Sequence, residues 1–355
     1  MKNFIVRAAY AGLTLFGVVT AIFILFNVLP GDPTKMMLGQ TQTETQVDQL
    51  RKKYGFDQPV YRQYLYYLND LSMLSVHSKN PDDYTYIADK SVRHVGLINT
   101  ASATIVLKFP YLRQSFQKQN KPVTAIIRET LPNTALLAVS AITIALIIGM
   151  TLGMISALNE NRAIDKGIQV VSTFGMSLPS FFSAILFAWI FGFVLEKYTH
   201  LNMTGNLYEL DDFGEEKHLV LKNLLLPAFV LGIRPLAVVI QLMRNSVLEE
   251  LSKDYVRTAR AKGLTMSYIL RRHVFKNALN PVVTAISGWF ASMLAGAVFV
   301  EYIFGWNGLG KEIVDALNTL DLPVIMGAVL VISTTFIFIN ILVDIIYRIL
   351  DPKVT

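Results

Sequence analysis

The chain has 355 residues, of which 53% are hydrophobic and 16% charged, and its mean hydropathy is +0.44. A soluble domain of this length carries more charge, so the composition predicts an integral membrane protein. The sequence contains no cysteine, which excludes a disulfide framework and a thiolate metal site. The net charge of +6 does not require a nucleic-acid partner, because basic clusters beside apolar spans are typical of membrane topology.

The N-terminal segment, residues 1–29, predicts a first transmembrane helix. A short basic lead precedes the uncharged apolar run Ala8–Leu29, which at about 1.5 Å per residue is long enough to cross a hydrocarbon core of roughly 30 Å. A secretory signal peptide is the alternative interpretation. Its apolar region would be shorter, and no small-x-small cleavage site precedes the turn Pro30–Pro33, so we expect a retained span.

Residues 30–122 predict a long extracytoplasmic loop, in which residues 72–110 resemble an insertion domain when compared with shorter members of the family named below. Residues 48–55 and 61–68 have helical patterns, and we interpret the aromatic face of the second as packed rather than as a substrate contact. The alternating segment Ala103–Lys108 predicts a strand. Basic residues here do not oppose an outer location, because long loops cross membranes largely regardless of charge.

Residues 123–350 predict a five-helix core. The expected spans are 131–158, opened by Pro132, then 167–195, 224–243, 281–300 and 322–350. With the first span they predict an all-α polytopic protein with six transmembrane helices, both termini in the cytoplasm and a short tail at 351–355. Gly149 and Gly153 predict close helix packing in the second span, and Pro179 interrupts the third.

Two charged residues fall within predicted spans. Arg234 lies about 15 Å into the fourth span, where a charge costs on the order of 3 kcal/mol. It either pairs with backbone carbonyls or a partner subunit, or it lines a path and holds the carboxylate of a passing solute. Asp344 is near the inner end of the last span, and we interpret it as structural.

The residue inventory argues against an enzyme. The glycine-rich run Glu301–Gly310 is not a Walker A loop, because Lys311 is followed by Glu312, and we interpret it as a packed aromatic turn at the outer mouth. The spans contain serines but no histidine to activate them, and no metal site is expected. The serines are Ser140, Ser172 and Ser183; the histidines, expected in loops, are His77, His94, His200, His218 and His273.

The segment Arg244–Asn280 carries the densest positive charge between two spans, with eight basic residues against three acidic ones. The positive-inside bias places it in the cytoplasm. Helix-forming residues precede Gly263 and apolar residues recur at helical spacing after Met266, so the pattern predicts two short helices joined at the glycine.

This segment resembles the cytoplasmic coupling loop of ABC importer permeases. The run Arg257–Gly263, with Ile269 and His273 downstream, is similar to the B-type permease subunit of dipeptide and oligopeptide importers. The general importer pattern has Glu-Ala-Ala where this chain has Arg257, Thr258 and Ala259, and Leu-Pro where it has Phe275 and Lys276. The peptide branch resembles the arginine form.

The resemblance implies a function and a set of partners. A second similar permease would complete the path, two cytoplasmic ATPase subunits would use ATP, and an extracytoplasmic binding protein would deliver the solute. This chain would bind no cofactor and would lie in the bacterial cytoplasmic membrane. The expected ATPase contact is Asp254–Arg272, in which the arginines and Lys262 offer charge, Ala259 and Ala261 allow close approach and Gly263 supplies the bend. Its residues are Asp254, Tyr255, Arg257, Thr258, Ala259, Arg260, Ala261, Lys262, Gly263, Arg271 and Arg272.

The solute remains open at this point. Relatives in the family carry dipeptides, longer peptides, nickel complexes or other small solutes. A stand-alone secondary transporter is a further alternative, which the proline-interrupted spans and Arg234 favour, although no internal repeat is evident.

Overall fold

The structure is a computed structural model that describes residues 2–28, 34, 43–81, 83–87, 90, 92–118, 121–211 and 216–350. The predicted turn Pro30–Pro33, the tail 351–355 and the side chain of Asp344 lie outside the described residues. The chain divides into two compact units, one of residues 1–129 and 313–334, the other of residues 130–312 and 335–355.

The first unit contains three whole helices, a small sheet and parts of helices that continue into the second unit. The helices are α1 (Lys2–Val28), α2 (Glu44–Tyr54) and α3 (Val60–Leu71), and the strands are β1 (Leu74–Ser78), β2 (His94–Asn99) and β3 (Ala103–Lys108). The strands form an antiparallel sheet in the order β1-β3-β2, with Val76 opposite Ile105 and an irregularity between Gly96 and Ile98. The two predicted helices and the predicted strand of this region are therefore confirmed.

A buried carboxylate joins the helical and strand parts of this unit. Asp70, at the end of α3, accepts hydrogen bonds from Lys90 Nζ at 2.6 Å, Tyr84 OH at 2.5 Å and Arg113 Nε at 3.1 Å. Lys108 Nζ, at the end of β3, donates to the Asp70 carbonyl at 2.5 Å. Burial raises the pKa of Asp70, but Arg113 and Lys90 outweigh it and the net pKa lies below the ordinary value, so the carboxylate is charged.

The second unit is almost entirely helical. Helix α4 (Val123–Leu158) runs into it from the first unit, and a β-hairpin of β4 (Tyr208–Leu210) and β5 (Lys217–Leu219) precedes its longest wholly contained helix. Its helices are α5 (Ala163–Ser177), α6 (Ser180–Trp189), a π-helical turn (Ile190–Val194), α7 (Glu196–Thr199), α8 (Lys222–Ser252), α9 (Asp254–Ala261), α10 (Met266–Ile269), a π-helical turn (Leu270–Val274), α11 (Phe275–Gly296) and α12 (Val298–Phe304). Two further helices, α13 (Leu309–Asn318) and α14 (Leu322–Leu350), are divided between the units, and their residues from 313 to 334 belong to the first unit. The α8 helix packs against α11, α5 and α6, so it is the central element of this unit.

Close approach of α4 to α8 depends on the predicted small-residue pair. A Cβ atom at Gly149 would lie 2.7 Å from Val239 Cγ1, and one at Gly153 would lie 2.7 Å from the Ile240 carbonyl oxygen. Only a residue without a side chain fits at either position, so the predicted close packing is confirmed.

Four described helices are long and apolar enough to cross a membrane. They comprise residues 9–26, 123–158, 222–252 and 322–343, and a fifth crossing results if α5 and the segment 180–194 count as one span. The predicted third span is not straight: α5 and this segment meet at a bend of 112° around Leu178 and Pro179. Leu178 is extended, with ψ 132°, as expected for a residue that precedes proline.

Several predicted helix boundaries differ from the structure. Two of them differ because Pro132 and Pro281, which were expected to begin helices, lie inside them. The second predicted span begins at Val123 rather than near Leu131, with Pro132 inside the helix. The fourth continues to Ser252, and the fifth begins at Phe275 and breaks after Gly296. The α11 helix is 22 residues long but is not among the described helices that are both long and apolar enough to cross, so the count of six spans stays a prediction.

The glycine-rich segment between α12 and α13 is a packed turn, as predicted. Trp306 is fully buried and its Nε1 donates to the Asn133 carbonyl at 3.1 Å. Glu301 Oε2 accepts from the backbone nitrogens of Gly310 at 2.7 Å and Lys311 at 3.1 Å, which fixes the first turn of α13. That it lies at the outer mouth stays a prediction.

The histidines differ from the expectation that all of them lie in loops. His77, His94 and His218 are in strands, and His273 is in the second π-helical turn. His77 is buried and hydrogen-bonded, with Nε2 2.9 Å from Ser75 Oγ and Nδ1 2.7 Å from the Thr85 carbonyl. Its contacts are those of a satisfied structural side chain.

Candidate functional site

The basic segment predicted from charge forms a short amphipathic helix, α9, between two long helices. Val256 and Ala259, three residues apart and therefore on one face, are buried and pack in a cluster with Met243 and Val247 of α8 and with Ile269. The opposite face has no such contact. The apolar face thus fixes the helix on the rest of the unit and leaves a polar face outward.

The outward surface is strongly basic. The exposed cationic side chains are Arg257, Arg260, Lys262, Arg271 and Arg272. Within the described part of the chain their one ion pair joins Arg257 Nη1 to Asp254 Oδ1 at 3.4 Å, and both side chains are more than three-quarters exposed. Such a pair neutralises little, so the surface offers positive charge to an external partner.

Gly263 ends α9 in the left-handed conformation that the bend requires. Its φ is +80°, its backbone nitrogen donates to the Arg260 carbonyl at 2.9 Å, and Leu264 N donates to the Ala259 carbonyl at 3.2 Å. These bonds satisfy carbonyls that a helix end leaves free. The predicted bend at Gly263 is confirmed.

The second predicted short helix is not a separate element. The α10 helix continues through the π-helical turn Leu270–Val274 into α11 without a break. Ile269 and Val274 are fully buried, and no helix-breaking residue separates them from α11. Arg271 and Arg272 therefore lie on the exposed side of a helix that extends into the unit.

Two residues expected at the contact surface have roles within the chain itself. Ala259 is 8% exposed, so its methyl group packs against this chain's own core and is not free for close approach by a partner; Ala261 is exposed. Tyr255 donates its hydroxyl hydrogen bond to Glu250, whose other carboxylate oxygen accepts from Lys253 Nζ at 2.6 Å. This cluster fixes the start of the loop.

The predicted segment began at Arg244, but this residue is engaged inside the unit. Its guanidinium makes two hydrogen bonds of 2.7 Å to the carboxylate of Asp165 at the start of α5, and Asp165 also accepts from Ser156 Oγ at 2.5 Å. The paired geometry links α5 to α8. Sequence reasoning missed Asp165, which is one of two acids beside two basic residues in 159–166, so no local signal marked it.

Arg234 lies on α8 directly before Pro235 with an exposed side chain. No described residue pairs with it, so the interpretation that it bonds backbone carbonyls of its own chain is not supported by any contact in the described part. A small cavity of about 80 Å³ adjoins it, with Ser180, Ser183 and Ser292 in its lining. The arrangement presents one cation and several hydroxyl groups beside the bend at Pro179.

Comparisons with known proteins identify the family of the chain. The sequence model of the family "Binding-protein-dependent transport system inner membrane component" matches residues 149–355, and that of its N-terminal part matches residues 1–81. A putative peptide permease protein of Brucella suis is 33% identical over 96% of this chain and 94% of its own length. The probable D,D-dipeptide transport system permease protein of Escherichia coli K12 is 30% identical over the same two shares.

A solved structure has the same fold over the core. The inward-facing MetNI methionine ABC transporter covers 64% of this chain and 97% of its own, with a TM-score of 0.50 at 16% identity. The likeness concerns the fold alone. With the family match over more than half of the sequence, this chain belongs to the binding-protein-dependent transport system inner membrane components, the multi-pass permease subunits of ABC importers.

Proposed function

We propose that this chain is one of the two membrane subunits of an ATP-driven importer of di- or oligopeptides. The observation that carries the proposal is the outward basic face of α9, held by buried Val256 and Ala259 and ended by Gly263. A rigid charged element of this kind suits a soluble partner that pushes on the membrane unit. The relatives named as peptide and dipeptide permeases support the solute class.

Membership of the family supports a proposal for the partners. Two ATPase subunits bind and hydrolyse ATP, a second permease completes the path, and a binding protein delivers the peptide from outside. The chain lies in the cytoplasmic membrane with both termini inside. This chain forms part of the transport path, and it binds no cofactor.

Charge reversal on the loop tests the ATPase contact. In a complex purified from native membrane, the double variant Arg257→Glu and Arg260→Glu should bring down at least tenfold less ATPase subunit, because both side chains are exposed and their loss does not disturb the buried face of α9. The matched control is Lys217→Glu, the same change of charge at an exposed lysine of β5. Equal ATPase recovery from the double variant and the control would contradict the assignment.

Arg234 is the proposed cation of the peptide path. Replacing it with Gln removes the charge while retaining hydrogen-bonding capacity, so uptake of peptides with a free C-terminal carboxylate should fall about tenfold or more, through a raised KM. Peptides with an amidated C-terminus are the control and should be taken up equally by both proteins. A uniform loss for both kinds of peptide would instead indicate a structural role.

The alternative solute is a small metal complex such as nickel with its chelator. Competition uptake in vesicles that contain the whole complex distinguishes the two: excess dipeptide should block labelled peptide uptake, while excess nickel complex should not. Transport by the purified chain alone, without ATPase subunits, would revive the secondary-transporter interpretation.

A further inference from the structure

The first compact unit contains a cavity of about 630 Å³. One wall is apolar and comes from Phe23 and Phe26 at the end of α1 and from Leu322 and Met326 at the start of α14. The rest of the lining contains aromatic and charged side chains beside further aliphatic ones. It includes Arg51, Lys52, Tyr54, Phe56, Tyr67 and Arg113.

A buried hydroxyl group in this lining has no partner. Tyr67 is 4% exposed, and its OH makes no hydrogen bond with any described residue. The neighbouring Tyr64 shows the usual outcome, since its OH lies 2.6 Å from Thr20 Oγ1. Because an unsatisfied buried hydroxyl is disfavoured, the Tyr67 OH indicates a missing acceptor. Burial raises the pKa of Tyr67 to about 12, so the phenol remains a neutral donor.

A guanidinium stands beside this phenol. The Cζ atom of Arg113 lies 5.6 Å from the centre of the Tyr67 ring, and its Nε bonds Asp70 while the described residues give its two Nη nitrogens no partner. Arg113 also has a φ of +64°, a conformation that a non-glycine residue adopts only when its surroundings hold it there. The free donors therefore point to an anionic acceptor.

Acidic residues in the lining do not cancel this preference. Asp48 and Asp57 are exposed at the mouth, and Asp48 lies 3.7 Å from Arg51. The side of the cavity that carries the two donors, the Tyr67 phenol and the Arg113 guanidinium, therefore remains positively charged.

The cavity adjoins the ends of two helices that are long and apolar enough to cross a membrane. Phe26 is the last residue of the apolar stretch 9–26, and Leu322 is the first residue of the stretch 322–343. The ends of spans are the level at which lipid phosphates lie, and the apolar wall continues toward the hydrocarbon. A ligand with an anionic head and an apolar chain matches both halves.

We propose that this cavity binds one anionic phospholipid, whose phosphate accepts hydrogen bonds from Tyr67 and Arg113 and whose acyl chain lies along Phe23 and Met326. Its volume of about 630 Å³ is in the range of pockets that bind small molecules. The bound lipid ties α1 to α14 within this unit. The site is independent of which solute the importer carries.

Native mass spectrometry of the whole complex tests the site. After delipidation, the complex is titrated with dioleoylphosphatidylglycerol or dioleoylphosphatidylcholine. The native complex should retain one phosphatidylglycerol at least fivefold more strongly than phosphatidylcholine, and Tyr67→Phe and Met326→Phe should each remove that preference. The controls are Tyr64→Phe, at a phenol outside the cavity, and Met176→Phe on α5; both should behave as the native protein does.

Thermal unfolding distinguishes the remaining outcomes. With a bound lipid, Tyr67→Phe should lower the midpoint in phosphatidylglycerol and raise it in lipid-free detergent, where it removes an unsatisfied group. A rise in both media would overturn the proposal, as would equal retention of the two lipids. If millimolar inorganic phosphate displaces phosphatidylglycerol and stabilises the complex alone, the site is a phosphate site and the lipid assignment is wrong. Crosslinks from Met326 to the binding protein, with no lipid retained, would also overturn it.

Discussion

At the scale of single residues, the cluster around Asp70 shows how the first unit holds buried charge. One carboxylate faces two cations and a phenol, while Lys108 donates to two backbone carbonyls, of Asp70 at 2.5 Å and Ser72 at 3.2 Å. Breaking such a cluster leaves charges unpaired, which generally costs about 3 kcal/mol or more. Lys108 is the member that ion pairing compensates least.

The buried amine of Lys108 predicts a measurable pH dependence. Burial lowers its pKa from 10.5 to about 8, so between these values the folded chain binds fewer protons than the unfolded chain. The cost of burying the charge is full below pH 8 and disappears as the pH rises toward 10.5, so stability increases over this interval, by on the order of 1 kcal/mol. Thermal unfolding at pH 7.5 and 9.5 should show this increase in the native protein and a smaller one in Lys108→Met.

The control for this measurement is Lys79→Met, at an exposed lysine of the same unit. It should leave the pH dependence unchanged. If Lys108→Met shows the same increase in stability between the two pH values as the native protein, the increase comes from other groups, such as Lys90, whose pKa is also lowered by burial.

At the scale of elements, the packing of α4 on α8 depends on missing side chains. Gly153 meets the backbone of α8, which cannot rotate away, whereas the space beside Gly167 on α5 is open to beyond 4 Å. Two helical glycines therefore have opposite expected responses to the same substitution.

We expect Gly153→Ala to destabilise the second unit by about 1 to 3 kcal/mol, because the added methyl group would lie 2.7 Å from the Ile240 carbonyl oxygen. Gly167→Ala should instead stabilise it by about 0.5 to 1 kcal/mol, through helix propensity alone. Urea or thermal unfolding of both variants in one detergent measures the difference. Similar stability of the two variants would show that α4 and α8 do not approach as closely as described.

At the scale of the whole molecule, the prediction to test is the membrane topology, that is, the number of spans and the side on which each loop lies. Four described helices qualify as spans by length and composition, a bent pair adds a fifth, and the sequence predicts six with both termini inside. The absence of cysteine offers a direct test, because any single introduced thiol is the one labelling site in the chain.

Single-cysteine labelling should locate each loop. In intact cells an impermeant maleimide should label Thr100→Cys in the first long loop and Lys217→Cys in β5. It should label Thr258→Cys in α9 only after the cells have been permeabilised. All three positions are exposed, so burial does not limit the reaction. Labelling of Thr258→Cys in intact cells would reverse the proposed orientation.

The sequence by itself determined the class of the protein and the place of its basic segment. Apolar runs gave the membrane helices, the bias of positive charge gave the basic segment, and Gly263 gave its bend, because these signals depend on local composition and on backbone freedom. The strand at Ala103–Lys108 was likewise readable from alternation.

The tertiary structure alone decided which residues of that loop face outward. Ala259 faces inward because its side of α9 packs against α8. Arg244 is not part of the exposed loop because it is hydrogen-bonded to Asp165, which is distant in sequence. Helix ends moved past Pro132 and Pro281 because neighbouring helices support backbone that proline leaves unpaired. The cavity beside Tyr67 also could not be predicted from the sequence. Its lining comes from helices at opposite ends of the chain, such as α1 and α14, and no local sequence pattern indicates that they meet.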